Sequence, residues 1–290
     1  MAKTAVAQTA LSATKIASNI QIISGTGSNA LLFVGADGCL MVDSGNQERS
    51  AEMVKVVAQL SGGKPVRTLF NTHWHPESTG GNDALAQAGA KILAHENTRL
   101  WMTTDVDCVW QKRVYQPRPK IAWPTETFFT GPESLTGKMM FEDEPVQWGY
   151  LGQAHTDGDI YVYLPKSNVL VTGDVMTPGR YPIPDYSSGG WIGALSRAPK
   201  MLLDVANADT KIVPGDGPVQ TRADLEEHSK MITTVYDRLA ELMRTGMGHS
   251  DMKASAVTKE FDAKWGSPKV LLDCVYRGLW GHARELGKIV

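Results

Sequence analysis

The chain has 290 residues, 42% hydrophobic and 21% charged, the balance of an ordinary folded domain, which excludes general disorder and a fibrous repeat. Its formal net charge of -2 gives no electrostatic reason to expect nucleic acid or an anionic membrane as partner, and no apolar run is long enough to span a bilayer. Cys39, Cys108 and Cys274 lie far apart and match no zinc-ribbon or CxxC spacing, so any metal is expected on histidine and carboxylate.

Residues 1–18, rich in Ala, Thr and Ser but without the compact apolar core of a secretory signal, read as a flexible lead-in or as the start of an exported mature chain. Cytoplasm and periplasm both stay open, as do monomer and homo-oligomer. Alternation and β-branched content predict strands at 19–24, 30–35 and 39–43. A helix follows at 47–60, with Met53, Val54, Val57 and Leu60 on one face. A strand at 66–71 empties into the polar segment THWHPESTGGN, and a helix at 82–88, a strand at 91–94 and a helix at 95–102 come next.

The stretch 105–132 is irregular, with Pro117, Pro119, Pro124 and Pro132, but its aromatic residues argue for a packed flap. Strands return at 138–142, 147–152, 160–164 and 169–173, followed by a proline-rich loop at 175–190. The remainder reads as helices at 191–205, 221–245, 251–260 and 269–286, with a strand at 211–214. Two strand-rich halves, each followed by helices, imply two sheets packed face to face with helices outside, in a single domain over 19–290.

The chemistry concentrates at His73-Trp74-His75, directly after a predicted buried strand. Residues i and i+2 of an extended segment project to the same side, so both imidazoles can reach one ion. The natural third ligand is His155 in GQAHTDGD, giving three protein ligands and an open position for water. Such pairs also arise by chance on surface loops, but His155 and nearby carboxylates weigh against that. Asp174 closes the apolar strand NVLVTGD, where a carboxylate serves as ligand or as a bridge between ions; the bland alternative is a turn residue capping its own backbone. Asp43, at the end of CLMVDSG, is placed to orient a ligand histidine through the ring nitrogen not on the metal, or to form a purely structural Asx turn.

Taken in order, GSNALLF, MVDSG, NTHWHPESTGGN, GQAHTDGD, VTGD and IVPGDGP resemble the blocks of the metallo-β-lactamase fold hydrolases, over nearly the whole chain. The resemblance implies an αββα sandwich of two mixed sheets, with the metal site on one edge between them. It also marks departures. The family's His-x-His-x-Asp-His block reads here His73-Trp74-His75-Pro76-Glu77-Ser78, and its late Pro-Gly-His-Gly turn reads Pro214-Gly215-Asp216-Gly217. The tri-histidine site survives, while the second site keeps Glu77, Asp174 and Asp216, with Ser78 a weak neutral donor.

One zinc on His73, His75 and His155 is favoured; an all-oxygen second set would suit a hard divalent ion (Mn, Mg, Ca or Fe), or hold no ion and act as acid and base. Glu77 is the expected proton-transfer group, with Asp174 and Asp216 as further catalytic candidates. The implied activity is a metal-dependent hydrolase whose metal-activated water attacks a carbonyl of a small cyclic amide, lactone or ester. The alternatives are a non-catalytic or ligand-binding member with one structural metal, and an iron-dependent redox variant. Trp110, Tyr115 and Trp123 of the flap, and Tyr181, Tyr186 and Trp191 later, are candidate walls of a substrate pocket. His95, His228, His249 and His282 are expected at surfaces or caps.

Overall fold

The computed structural model describes residues 10–129 and 136–279. Strands β1 (Ser12–Lys15), β2 (Ile20–Ser24), β3 (Ala30–Val34) and β4 (Cys39–Val42) form an antiparallel run, continued in parallel by β5 (Val66–Phe70) and β6 (Lys91–His95). A short hairpin of β7 (Val106–Cys108) and β8 (Arg113–Tyr115) stands apart from this sheet, and β9 (Glu126–Phe128) rejoins it beside β6. The second sheet runs β10 (Thr136–Phe141), β11 (Glu144–Tyr150), β12 (Ile160–Leu164), β13 (Val169–Gly173) and β14 (Lys211–Pro214), antiparallel except for the β13–β14 pair. Both sheets are mixed, as expected.

Side-chain alternation decides the layers. Leu31, Phe33, Leu40, Val42 and Phe70 face Ile160, Val162, Val169, Val171 and Val213 in the core between the sheets. Their neighbours Leu32, Met41, Leu69 and Ile92 turn outward against Met53 and Val57 of α1 (Ser50–Ser61). Beyond it lie α2 (Pro76–Thr79), α3 (Asn82–Gln87) and α4 (Glu96–Met102). On the far side Tyr161, Tyr163, Leu170 and Ile212 pack under helices α5 (Ile192–Val205) and α6 (Arg222–Arg244). Helices α7 (His249–Ala254), α8 (Asp262–Trp265) and α9 (Lys269–Leu279) close that layer. The result is an αββα sandwich.

Three expectations are corrected. Residues 12–15, assigned to a flexible lead-in, pair with β2 as an edge strand from Ser12↔Ser24 to Lys15↔Gln21. Within the stretch read as irregular, Glu126–Phe128 is a sheet strand, too short to display a period in sequence. The helix expected at 251–260 ends at Ala254, where the positive φ of Ala256 (53°) takes the backbone out of helical space. Residues 1–9, Pro132, and the end of the 269–286 helix with His282 lie outside the described residues.

The two sheets share one edge. β4, β5, β13 and β14 end on the same side of the sandwich, where parallel strands leave a crevice at their carboxyl ends. Asn29 stitches the edge, its amide reaching the carbonyls of Pro214 (3.0 Å) and Gly217 (2.8 Å) across the two sheets. The amide of Ile160 donates to the Thr72 carbonyl at 2.9 Å and adds a second tie.

Candidate metal centre

His73 and His75 leave the end of β5, and His155 leaves the loop between β11 and β12. All three are buried, with ring centroids 4.6–5.0 Å apart and one nitrogen from each within 4.8 Å of the others. Each ring is held from behind. His155 Nδ1 donates to the Ile183 carbonyl at 2.5 Å, and His75 Nε2 donates to Asp185 Oδ2 at 2.9 Å. His73 Nδ1 lies 3.0 Å from Thr72 Oγ1, which is 2.7 Å from Asp43 Oδ2. The outward nitrogens being occupied, His73 Nε2, His75 Nδ1 and His155 Nε2 face one another.

Electrostatics favour a cation there. His73 Nε2 is buried with no hydrogen-bond partner, the mark of a ligand atom facing an ion. Burial, together with the charges of His155 and His75, keeps His73 well below the usual imidazole range, so it is neutral and able to coordinate. His75 Nδ1 and His155 Nε2 stand 2.9 Å apart, a contact that requires a proton between them or a cation in front of both. Burial works against charge on His75, yet the hydrogen bond with Asp185 and the charges of Glu77, Asp185 and Asp174 carry it up to about 9. Conversely, burial opposes ionisation of Asp185, but His75 holds its carboxyl well below the usual range.

Asp43 reaches its position through a left-handed backbone (φ 60°) at the end of β4 and accepts the Thr72 amide at 2.8 Å. Burial, with the charges of Asp174 and Glu77, pushes Asp43 up to about 8. A nearby cation reverses that push. Ionised Asp43 then accepts the Thr72 hydroxyl proton, Thr72 accepts from His73 Nδ1, and Nε2 is left free to coordinate.

Residues 23–208 match the family described as the Metallo-beta-lactamase superfamily. The chain belongs to that superfamily. A metallo-beta-lactamase type 2 from Bacteroides fragilis is 26% identical over 213 residues, covering 72% of this chain and 76% of that protein. The structure of a metallo-beta-lactamase from Pontibacter korlensis is similar at a TM-score of 0.61 and 20% identity, over 77% of this chain and 98% of the other. A stereoselective inverting sec-alkylsulfatase from Pseudomonas sp. is similar at a TM-score of 0.69 and 14% identity, over 92% of this chain and 50% of its own. The superfamily consists largely of metallo-hydrolases that bind divalent cations, usually zinc, and the three histidines fit such a site.

In this metallo-beta-lactamase-fold protein the carboxylates expected at the site part company. A cleft of about 440 Å³ runs over the centre, lined by Glu77, Trp110, His155, Asp174, Arg180 and Asp216 among others. Asp174 Oδ2 lies 3.9 Å from His155 Nε2, and Glu77 Oε1 lies 3.8 Å from His75 Nδ1. Asp216 instead pairs with the Arg180 guanidinium at 2.9 Å, both half-exposed. Ser78 is fully buried, its hydroxyl without a partner. Among the described residues, only the three histidines bring donor atoms together as a candidate ligand group.

Of the pocket candidates, Trp110 and Tyr181 line the cleft. Trp123 donates to the Arg118 carbonyl and packs with Trp74 behind it, and Tyr115 meets Trp74 edge to face. Trp191 is core beneath α5, and Tyr186 lies against Gly278. These four lie away from the cleft, their large apolar rings taken up in the helical core or in loop packing. His95 caps α4 through Nδ1, and His249 pairs with Asp273. His228, expected at a surface or cap, is buried and holds the Val175 carbonyl at 3.0 Å, next to Asp174.

Three supporting residues escaped the sequence. Asp185 sits in PIPDYSSGG, where nothing but its turn-capping character marks it: it also accepts from the Ser187 amide and the Ser188 hydroxyl. Asp159 accepts from the amides of His155 (2.5 Å) and Thr156 (2.9 Å), a signal present in the spacing H-T-D-G-D. Thr72 simply precedes His73. Gly190 is required because a Cβ there would overlap the His155 carbonyl oxygen, and Gly215 because a Cβ would overlap the Asp174 carboxylate.

Proposed function

We propose that this chain is a hydrolase working with one divalent cation, most simply zinc, on a carbonyl of a small cyclic amide, lactone or ester. The observation that carries it is the convergence of His73 Nε2, His75 Nδ1 and His155 Nε2 within 4.8 Å, beside an open cleft. Imidazole nitrogens suit zinc, and three of them leave a coordination position open. A divalent cation held there supplies Lewis acidity, acidifying water and polarising a carbonyl.

The chain's own groups do the rest. Asp174, beside His155, is a further ligand or a hydrogen-bond acceptor for water at the open position. Glu77, on the cleft wall and about one-third exposed, takes or returns the proton that the leaving group needs. Asp43 and Asp185 keep the imidazoles in the coordinating tautomer. The pairing of Asp216 with Arg180 supports a one-ion centre, since it removes a carboxylate from any second, oxygen-rich set of Mn, Mg, Ca or Fe character.

Elemental analysis of the purified protein and of His155→Ala, followed by a panel of lactone, ester and β-lactam substrates with and without chelator, tests this reading. About one zinc per wild-type chain, lost in His155→Ala together with turnover, is expected. Hydrolysis indifferent to chelation and to His155→Ala would falsify it.

A further inference from the structure

The hairpin β7–β8 carries Trp110 at its tip, in the turn Val109–Gln111, with Val109 and Val114 exposed on either side. Trp110 does two things at once. Its ring lines the cleft, and its indole N–H donates to Asp185 Oδ1 at 2.9 Å. The other oxygen of the same fully buried carboxylate accepts from His75 Nε2, also at 2.9 Å. Asp185 takes its remaining hydrogen bonds from the Ser187 amide (3.0 Å) and the Ser188 hydroxyl (2.7 Å), so three elements fix one carboxylate: flap, turn and ligand histidine. The hairpin packs on this turn and on α9, so the tip has a fixed seat.

We propose that Trp110 is a positioning residue of the metal centre: its indole N–H locks the carboxylate that aims His75, so that the cleft wall and the cation site form one unit and filling either orders the other. This rests on the tri-histidine reading above. The physical reason is geometric. The Ser187 amide already donates to Oδ1 and the Ser188 hydroxyl to Oδ2, but both belong to the same turn as Asp185; the Trp110 indole comes from a separate element and ties that turn to the flap, so that turn and carboxylate cannot shift together away from His75. The indole is the right group because it donates without accepting and brings an apolar face for a substrate.

Zinc affinity, measured by competition with a chromophoric chelator, separates the possibilities without recourse to turnover. Trp110→Phe keeps the ring and removes the donor; Trp110→Ala removes both. Both variants are expected to bind zinc about 3–10-fold more weakly, a smaller effect than loss of a direct partner of a ligand histidine. In an Asp185→Asn background, Trp110→Phe is expected to add nothing. Hydrogen exchange of residues 106–116 is expected to slow on zinc addition in the wild type and not in Trp110→Phe. Wild-type affinity in Trp110→Phe, or full additivity with Asp185→Asn, overturns the proposal while leaving the metal centre intact. Failure of the wild type to take up zinc sinks the hydrolase reading and this one with it. Circular dichroism and thermal melts on each variant separate misfolding from a positional effect, because a folded Trp110→Phe with unchanged zinc affinity still counts against it.

Discussion

Each of the three clustered histidines turns its spare ring nitrogen to a different acceptor: a backbone carbonyl for His155, a carboxylate for His75, a hydroxyl backed by a carboxylate for His73. His75 dictates the pH behaviour. Its folded pKa of about 9 lies above the ordinary 6.5, so its protonated pairing with Asp185 stabilises the metal-free protein fully below about pH 6.5 and is lost as pH rises through 9. Thermal melts of chelator-treated protein are therefore expected to fall from pH 7 to 9.5. Zinc affinity is expected to do the reverse, rising about tenfold per pH unit and levelling above pH 9, because the same proton competes with the ion. The carboxylates divide by contact. Glu77→Gln is expected to lower kcat by about 10²-fold with zinc content unchanged, while Asp216→Asn, already turned to Arg180, changes zinc affinity less than about 3-fold. Equal zinc loss in both, read by elemental analysis, would show that the second set of carboxylates holds metal after all.

The elements that carry these side chains are loops pinned at close quarters. The 175–190 loop supplies Ile183 and Asp185, and it approaches His155 only because residue 190 lacks a side chain. Gly190→Ala forces the loop off the His155 carbonyl, with an expected cost of about 2–3 kcal/mol in stability and a parallel weakening of zinc binding. Denaturant melts in the presence and absence of zinc read both, and an unperturbed Gly190→Ala would mean that this loop is free to relax. Strand ends were easy to place from sequence because Phe70, Val42 and Val171 close apolar runs before Asn71, Asp43 and Gly173-Asp174. The loop was not, since its Pro and Gly residues show where the chain turns and not which carbonyl it meets.

For the molecule as a whole, the site straddles two sheets that meet through the core of Leu31, Phe33, Val162 and Val171 and through the Asn29 bridges at the rim. Ligands from both halves mean that a bound cation links them, and no helix among the described residues is long and apolar enough to cross a membrane. Zinc at a hundredfold excess over its Kd is expected to add about 2.7 kcal/mol to folding and to raise Tm by roughly 4–5 °C. Calorimetry with and without chelator checks it; a Tm blind to zinc would mean that the ion does not bridge the folded halves.

The linear sequence determined the layers and which three histidines cluster. Period-two alternation is a local property of a strand, and His73-Trp74-His75 share a face through backbone geometry alone. What surrounds the ligands was decided only by the tertiary structure. Asp185 lies 110 residues from His75, Trp110 lies 75 from Asp185, and Asp216 could have joined the ion or the Arg180 guanidinium with equal ease along the chain. Such contacts depend on where two sheets and three loops come to rest. A hydrogen bond between side chains so far apart leaves no period or spacing in either segment, so it exists as information only once the sandwich has closed.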